Sequence, residues 1–217
     1  MRKLIIQILI YFITIQTYLM SDEISRENSL KTRISNINFI KDIEIFNLDG
    51  SINAVIEIPS GSILKRKVNE QGNKIELSIK DGKFKQLNYL GYPANYGFIP
   101  KTLLPYQLNG DGDTVDVLVL GRQFKVGQII RCKLIGMLEI KDQKLIDNKV
   151  ICIDFKSELI KANNLDDLKK IAPGALEIIE IWFKNYKGEI LEIIKYSNKK
   201  KTINFINDAN SNFKNKN

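Results

Sequence analysis

The segment 109–116 has the sequence NGDGDTVD and is followed by the apolar residues 117–120. Its carboxylates, Asp111, Asp113 and Asp116, have no Lys or Arg between them. At a separation of about 5 Å and an effective dielectric constant near 20, each ionised pair costs roughly 3 kcal/mol. A divalent cation removes that cost, and carboxylates without imidazole or thiolate select a hard ion: Mg²⁺, with Mn²⁺ or Ca²⁺ as substitutes. The segment therefore favours a metal site over a polar turn that leads into a strand.

A second acidic cluster, Asp142 and Asp147, comes shortly before Lys149 at the start of a predicted strand. Alone, this stretch favours a charged hairpin. If the loop between strands brings both carboxylates to the rim that carries the first cluster, there is room for several metal ions. Such sites suit phosphoryl chemistry, in which one ion makes a hydroxide and others hold phosphate oxygens.

A third segment, residues 91–103, has the sequence GYPANYGFIPKTL. Tyrosines beside an anion donate neutral hydrogen bonds to phosphate oxygens. In isolation, however, such a segment is more often part of a core followed by a turn.

Composition narrows the chemistry further. The 217 residues include no His and two Cys, which excludes Ser-His-Asp and Cys-His catalysis and zinc sites that need imidazole. Carboxylate, lysine, tyrosine and hard-cation chemistry remain. Cys132 and Cys152 lie in apolar, strand-like runs, so buried thiols are favoured over a disulfide.

The net charge of +8 is unevenly distributed. Residues 195–217 contain six Lys and one Asp, so this Asn-rich end alone contributes +5. It is expected to be a solvated, partly disordered tail, which weakens the case for nucleic-acid binding.

The elements that must position these residues are mostly strands. Apolar alternation and β-branched content predict strands at residues 54–58, 74–79, 115–120, 128–140 and 149–154. Glycines are expected to break the strands at Gly82, Gly97, Gly121 and Gly127.

A late helix is predicted from Pro173, as its first residue, to about Tyr186, with Gly188 just past its end. Its apolar stripe comprises Leu176, Ile179, Phe183 and Tyr186. A mainly β fold with flanking α follows: antiparallel strands in a small curved barrel plus helices.

Four regions are expected along the chain. Residues 1–20 begin MRK and continue mostly apolar, which is typical of a signal peptide or membrane anchor; a buried helix is the alternative. Residues 21–50 form an N-terminal extension, residues 51–195 the functional domain and residues 196–217 the basic Asn/Lys-rich tail.

The signal or anchor pattern of residues 1–20 predicts the location. We expect an exported protein, periplasmic or secreted, or a membrane-anchored one, with membrane contact only through residues 1–20. Without a signal there, the protein would be cytoplasmic.

Several ordered motifs carry a family resemblance. Residues 92–120 resemble soluble family I inorganic pyrophosphatases, whose pattern is YPxxYG[FY]I followed by DGDxxDVLV. With Glu57 in IEIP, the second acidic cluster and Tyr186-Lys187, the resemblance covers roughly residues 54–190. It implies a pyrophosphatase domain with a five-stranded OB-like barrel and peripheral helices, which hydrolyses inorganic diphosphate to two phosphates. It also implies several Mg²⁺ ions per site, Mn²⁺ as a possible substitute, and a homo-oligomer.

The resemblance also implies roles for individual residues. Asp111, Asp116 and Asp147 would bind activating Mg²⁺, Asp142 would join Asp147, and Glu57 would contact metal through water. Asp113 would be the general base for the attacking water. The phosphate ligands would be Lys65, Tyr96, Lys149, Tyr186 and Lys187, with Tyr92 lining the cavity.

Three positions depart from the family pattern. Thr114 replaces the usual Pro, which changes loop stiffness more than chemistry. Lys67 stands where Glu is usual, two residues after Lys65, and reverses the charge near Glu57. The phosphate-binding Arg before the Tyr-Pro segment is missing; Lys85, with Lys83 behind it, is the nearest candidate and lacks the bidentate fork of Arg.

Two rival functions remain at this point. One is a noncatalytic OB-like module that binds nucleic acid or polyanions; the acidic rim argues against it because it would repel a phosphate backbone. The other is a metal-dependent phosphatase for nucleotides or phosphoesters. If the protein is an inorganic pyrophosphatase, we expect it to bind inorganic diphosphate and not nucleic acid.

Overall fold

A computed structural model of the chain describes residues 32–34, 37–188 and 191–216. The strands are β1 (Thr32–Ile34), β2 (Ile52–Ile58), β3 (Arg66–Val68), β4 (Lys74–Leu77), β5 (Ile79–Lys80), β6 (Lys83–Phe84), β7 (Asn95–Ile99), β8 (Val115–Leu120), β9 (Ile129–Asp142), β10 (Leu145–Ile146), β11 (Lys149–Asp154) and β12 (Glu192–Asn198). The α-helices are α1 (Leu165–Ile171), α2 (Ala175–Asn185) and α3 (Lys199–Lys216). Short 3₁₀ helices span Tyr106–Leu108 and Glu158–Lys161.

Five strands pair in a closed ring, in the order β9, β11, β8, β7 and β2, and β2 pairs again with β9. Alternate residues of a strand contribute to different hydrophobic clusters, as period-two geometry requires. Val117 and Val119 of β8 join a cluster that includes Ile206 of α3, whereas Leu118 packs in the cluster that includes Phe183 of α2. The predicted mainly β fold with flanking α-helices is confirmed.

One pairing in the ring differs from the expected antiparallel arrangement. Strands β8 and β11 run parallel, with Lys149 opposite Asp116 and Ile151 opposite Leu118. Alternation in the sequence shows which residues share a face but not the direction of the neighbouring strand. This register brings a lysine and an aspartate of the predicted site side by side.

The sequence predicted a strand break at Gly97, but this residue lies inside β7. A Cβ at this position would lie 1.9 Å from the carbonyl oxygen of Val55 on β2. Glycine is therefore required here because two backbones approach closely.

Helix α2 begins at Ala175, two residues later than predicted, because Gly174 takes the N-cap position with a left-handed φ of 83°. Its predicted apolar stripe is confirmed: Leu176, Ile179 and Phe183 are buried. The helix therefore presents that face to the strand ring and Tyr186 at its C-terminal end.

The two ends of the described chain are more structured than the sequence suggests. Within residues 37–50, expected to be an extension, Phe39 and Ile43 are buried in a cluster with Phe98. The expected tail forms the end of β12 and helix α3, in which Thr202, Ile206 and Ala209 are buried. The expectation of a solvated tail was wrong because a polar average conceals these buried positions at helical spacing.

The predicted signal or anchor at residues 1–20 lies outside the described residues. Among the helices that the structure describes, none has the length and apolar content needed to span a membrane.

The two cysteines form a disulfide, which corrects the expectation of free thiols. Cys132 on β9 and Cys152 on β11 are both fully buried and bonded to each other, with 5.7 Å between their Cα atoms. The sequence could not reveal this pairing because it depends on β9 and β11 being neighbours in the ring.

We expect this disulfide to stabilise the fold by about 3 kcal/mol, the value for a loop of this size. Refolding the wild-type protein with and without a thiol reductant, followed by urea unfolding under the same condition, measures the difference without an amino-acid substitution. Two titratable thiols in the denatured, unreduced protein would contradict the assignment.

Candidate active site

A cavity of 370 Å³ brings the predicted chemistry together. Its lining includes all but one of the residues predicted for the site: Glu57, Lys65, Lys85, Tyr96, Asp111, Asp113, Asp116, Asp142, Asp147, Lys149, Tyr186 and Lys187. Tyr92, expected to line the cavity, is not among the lining residues. It is buried, with its ring centroid 5.2 Å from that of Tyr96. The structure thus joins acidic segments that lie far apart in the sequence.

The first acidic loop is held to the barrel by its backbone. The N–H of Leu104 donates to the carbonyl oxygen of Asp113, and the N–H of Gly112 donates to that of Leu104, both at 2.8 Å. Asp111 accepts the N–H of Asp113 at 3.0 Å. Helix α3 supports the same loop, because the carbonyl oxygen of Ala209 accepts the N–H of Leu103. These contacts fix the acidic residues at the cavity wall.

Lys149 lies at the centre of the charged network. Its ammonium group donates to Asp116 and Asp147, each at 2.5 Å, and its side chain is 1% exposed. Burial alone disfavours the charged form, but the two carboxylates outweigh it and raise the pKa of Lys149. Tyr96 donates its hydroxyl to the same oxygen of Asp116 at 2.5 Å. The lysine therefore remains charged and links β8 to β11.

Two further lysines pair with acids at the cavity wall. Lys67 donates to both carboxylate oxygens of Asp113, at 2.7 and 2.6 Å. Lys187, just after α2, forms an ion pair with Asp142 at the end of β9. The reversed charge at Lys67, noted in the sequence, thus acts on the predicted general base.

Glu57 is the most buried carboxylate of the site, with 5% of its surface exposed. Burial raises its pKa to about 8, although the hydrogen bond from the N–H of Val68, at 2.6 Å, opposes that rise. In the metal-free protein Glu57 is therefore largely protonated at neutral pH. A nearby cation would favour its ionised form.

An aromatic cluster forms the wall behind the phosphate-binding candidates. Trp182 stacks on Tyr186 with a centroid distance of 4.4 Å and contacts Tyr92 at 4.7 Å. Burial raises the pKa values of Tyr96 and Tyr186, so both hydroxyls remain available as hydrogen-bond donors. Sequence reasoning missed Trp182; its position four residues before Tyr186, on the same helical face, was the available signal.

Four lysines line a second cavity that shares residues with the first. The N–H of Lys65 donates to the carbonyl oxygen of Lys85 at 2.9 Å, which places these two residues side by side. An adjoining cavity of 440 Å³ is lined by Lys65, Lys80, Lys85 and Lys187, and its lining includes no Asp or Glu. Burial, followed by repulsion from Lys85 and Lys187, lowers the pKa of Lys65 to about 8. This side is therefore suited to an anion.

The lowered pKa of Lys65 predicts a pH dependence. Its ammonium form predominates below about pH 8 and is lost above it, so kcat/KM for an anionic substrate should fall as the pH rises through this value. Lys65→Arg, which stays charged, should weaken that fall. Rate measurements from pH 6 to about pH 10 at fixed free metal test this, and identical profiles for both proteins would contradict it.

Arg66 is a further residue that sequence reasoning missed. It lines the cavity and is 6% exposed, and its Nε has no hydrogen-bond partner among the described residues. Burial lowers its pKa. Among the described residues, its guanidinium group donates one hydrogen bond, to the hydroxyl of Ser62 at 3.4 Å.

The donor set fits a hard cation. The acidic cavity residues offer only carboxylate oxygens, and burial and mutual repulsion raise the pKa of Asp111, which a cation would reverse. Within the described part of the chain, no three acidic side chains already form a metal cage. Mg²⁺ is compatible with this arrangement because it commonly binds through one or two carboxylates and completes its shell with water and phosphate oxygens.

A ring of strands whose cavity combines carboxylates with lysines suits a hydrolase of phosphate compounds. Comparison with known proteins agrees: the inorganic pyrophosphatase family model matches residues 54–214. The inorganic pyrophosphatase of Campylobacter jejuni is 30% identical over 177 residues, which cover 79% of this chain and 97% of that protein. This chain therefore belongs to the inorganic pyrophosphatase family, the hydrolases of inorganic diphosphate.

Solved structures give the same relationship. The N-terminally truncated vacuolar soluble pyrophosphatase of Trypanosoma cruzi, solved with diphosphate, has a TM-score of 0.79 and 26% identity, covering 82% of this chain and 79% of that one. The type I inorganic pyrophosphatase of P. falciparum has a TM-score of 0.76 and 27% identity, and the match covers 82% of this chain and 63% of that one.

Proposed function

We propose that this chain hydrolyses inorganic diphosphate to two phosphates with Mg²⁺ as cofactor. The observation that carries the proposal is the single 370 Å³ cavity in which the carboxylates of Asp111, Asp116 and Asp147 face lysines that can bind phosphate. A highly charged diphosphate needs cations around both phosphates, and this cavity offers lysines together with a place for metal.

The carboxylates have distinct proposed roles. Asp111, Asp116 and Asp147 would hold activating Mg²⁺, Asp142 would share an ion with Asp147, and Glu57 would contact metal through water. Bound Mg²⁺ supplies charge neutralisation for the phosphate oxygens and lowers the pKa of a coordinated water.

Side chains of the protein accept the proton and bind the diphosphate. Asp113 accepts the proton of the attacking water once its carboxylate is released from Lys67. Lys65 and Lys85 attract the diphosphate, and Lys85 stands in for the missing arginine with a point charge instead of a fork. The remaining proposed phosphate ligands are Tyr96, Lys149, Tyr186 and Lys187, while Tyr92 supports the ring of Tyr96 from behind.

A phosphate-release assay on purified protein tests the proposal. Diphosphate should be hydrolysed with Mg²⁺, more weakly or not at all with a chelator, and Mn²⁺ should restore part of the activity. A panel of nucleoside triphosphates and phosphomonoesters separates the phosphatase alternative. Salt-sensitive binding of nucleic acid without hydrolysis of any substrate would support the noncatalytic module instead.

We also propose that the protein is exported or membrane-anchored and self-associates. The basic start and apolar stretch of residues 1–20 support export, and the buried Cys132–Cys152 disulfide suits an oxidising compartment. Cell fractionation with N-terminal sequencing of the mature protein tests the location. A reduced cytoplasmic protein that keeps residues 1–20 would refute export.

Light scattering tests the homo-oligomer expected from the family.

A further inference from the structure

The Lys67–Asp113 pair joins strand β3 to the first acidic loop. Lys67 lies on β3 and Asp113 lies 46 positions later in the acidic loop, yet the ammonium group contacts both carboxylate oxygens. In the antiparallel pairing of β3 with β4, Lys67 is opposite Glu76, another acidic side chain. The lysine nevertheless pairs with the carboxylate at the cavity.

The pair is close to several acidic groups that are proposed to surround Mg²⁺. The positive charge of Lys67 acts on Glu57, and the negative charges of Asp113, Glu57 and Asp111 all act on Lys67. A single positive charge thus stands beside carboxylates that a divalent ion would otherwise neutralise. The same charge repels an approaching cation.

Solvent exposure indicates that the pair can be exchanged. The side chain of Lys67 is 57% exposed and that of Asp113 is 42% exposed, so the contact lies at the open mouth of the cavity. Exposed ion pairs of this kind are weak and dissociate readily. The contact can therefore compete with a metal ion without locking the site permanently.

We propose that Lys67 acts as a built-in counterion that competes with Mg²⁺ for the acidic loop and thereby sets the magnesium concentration at which this enzyme becomes active. This inference rests on the proposed function for its biological meaning. Lys67 is a positioning residue: it acts through Asp113 and does not touch the reacting atoms. With Lys67, this enzyme should need a higher concentration of free Mg²⁺ for activity than a chain with an acidic residue at this position.

Direct measurement of Mg²⁺ binding tests the competition without relying on turnover. Isothermal titration of the full, substrate-free protein with MgCl₂ should give an affinity about two- to fivefold higher for Lys67→Gln, the range expected from losing an exposed pair. Lys67→Glu should bind more tightly still, and Lys67→Arg should resemble the wild type. Lys74→Gln is a matched control, because Lys74 forms its ion pair with Glu76 within β4, the strand beside Lys67, and does not line the cavity.

The Mg²⁺ concentration for half-maximal phosphate release should move in the same direction and order. Unchanged or weaker Mg²⁺ binding in Lys67→Gln would overturn the inference, as would an equal shift in Lys74→Gln. Failure of the proposed function is distinguishable: it would appear as no hydrolysis of diphosphate by the wild type at any Mg²⁺ concentration, whereas the binding comparison would still report on the pair.

Discussion

Asp113→Asn should lower kcat for diphosphate by a factor of about 10² to 10⁴, the usual contribution of a positioned general base. Asparagine keeps the size of the side chain and can still accept a hydrogen bond, but it cannot take a proton from water at neutral pH. The backbone contacts of this loop to Leu104 do not involve the side chain, so the loop should keep its position. Phosphate release at saturating substrate and Mg²⁺ measures the effect.

Asp81→Asn is the matched control for this prediction. Asp81 lies in the exposed turn between β5 and β6, so this variant makes the same Asp-to-Asn change away from the cavity. Its φ of 52° is one that asparagine tolerates. That variant should keep wild-type turnover. If Asp113→Asn also turned over within about twofold of the wild type, far less than a general base contributes, Asp113 would not be the base.

Lys149→Met should destabilise the metal-free protein by about 3 to 5 kcal/mol, because breaking a buried ion pair leaves its partner charges uncompensated. Methionine fills a similar volume, so the loss reports on charge more than on packing. The remaining carboxylates of Asp116 and Asp147 would face each other without the ammonium group that lies 2.5 Å from each. Urea unfolding in the presence of a chelator measures the change.

Two comparisons isolate the cause of that loss. Lys161→Met removes an ion pair in which the lysine is 73% exposed, and should cost less than about 1 kcal/mol. The double variant Lys149→Met/Asp116→Asn should be more stable than Lys149→Met alone, because it removes one of the two uncompensated charges. A double variant that is less stable than the single one would show that Lys149 acts mainly by packing.

Local patterns predicted much of the fold and the site. β8 was predicted with its observed bounds, 115–120, because its apolar run follows a polar turn. The acidic loop was informative because three like charges in one short segment need a counter-charge. These signals are local, and each can be read within a few residues.

The rest depends on contacts between distant segments. The parallel register of Lys149 with Asp116, the contact of Lys67 with Asp113 and the disulfide all require knowledge of which strands and loops are neighbours. Helix α3 was obscured for a different reason: its Asn and Lys content is high, although Thr202, Ile206 and Ala209 recur on one face.

The closure of the ring by β2 and β9 also has a kinetic consequence. Ile52 lies opposite Cys132, about 80 positions later in the chain, so this pairing must form against a large loss of chain entropy. High contact order of this kind slows folding, typically to milliseconds or seconds. The complete cavity requires this pairing, because β2 carries Glu57 and β9 ends in Asp142. A chain that ends before β9 would therefore contain the acidic loop but could not form the complete cavity.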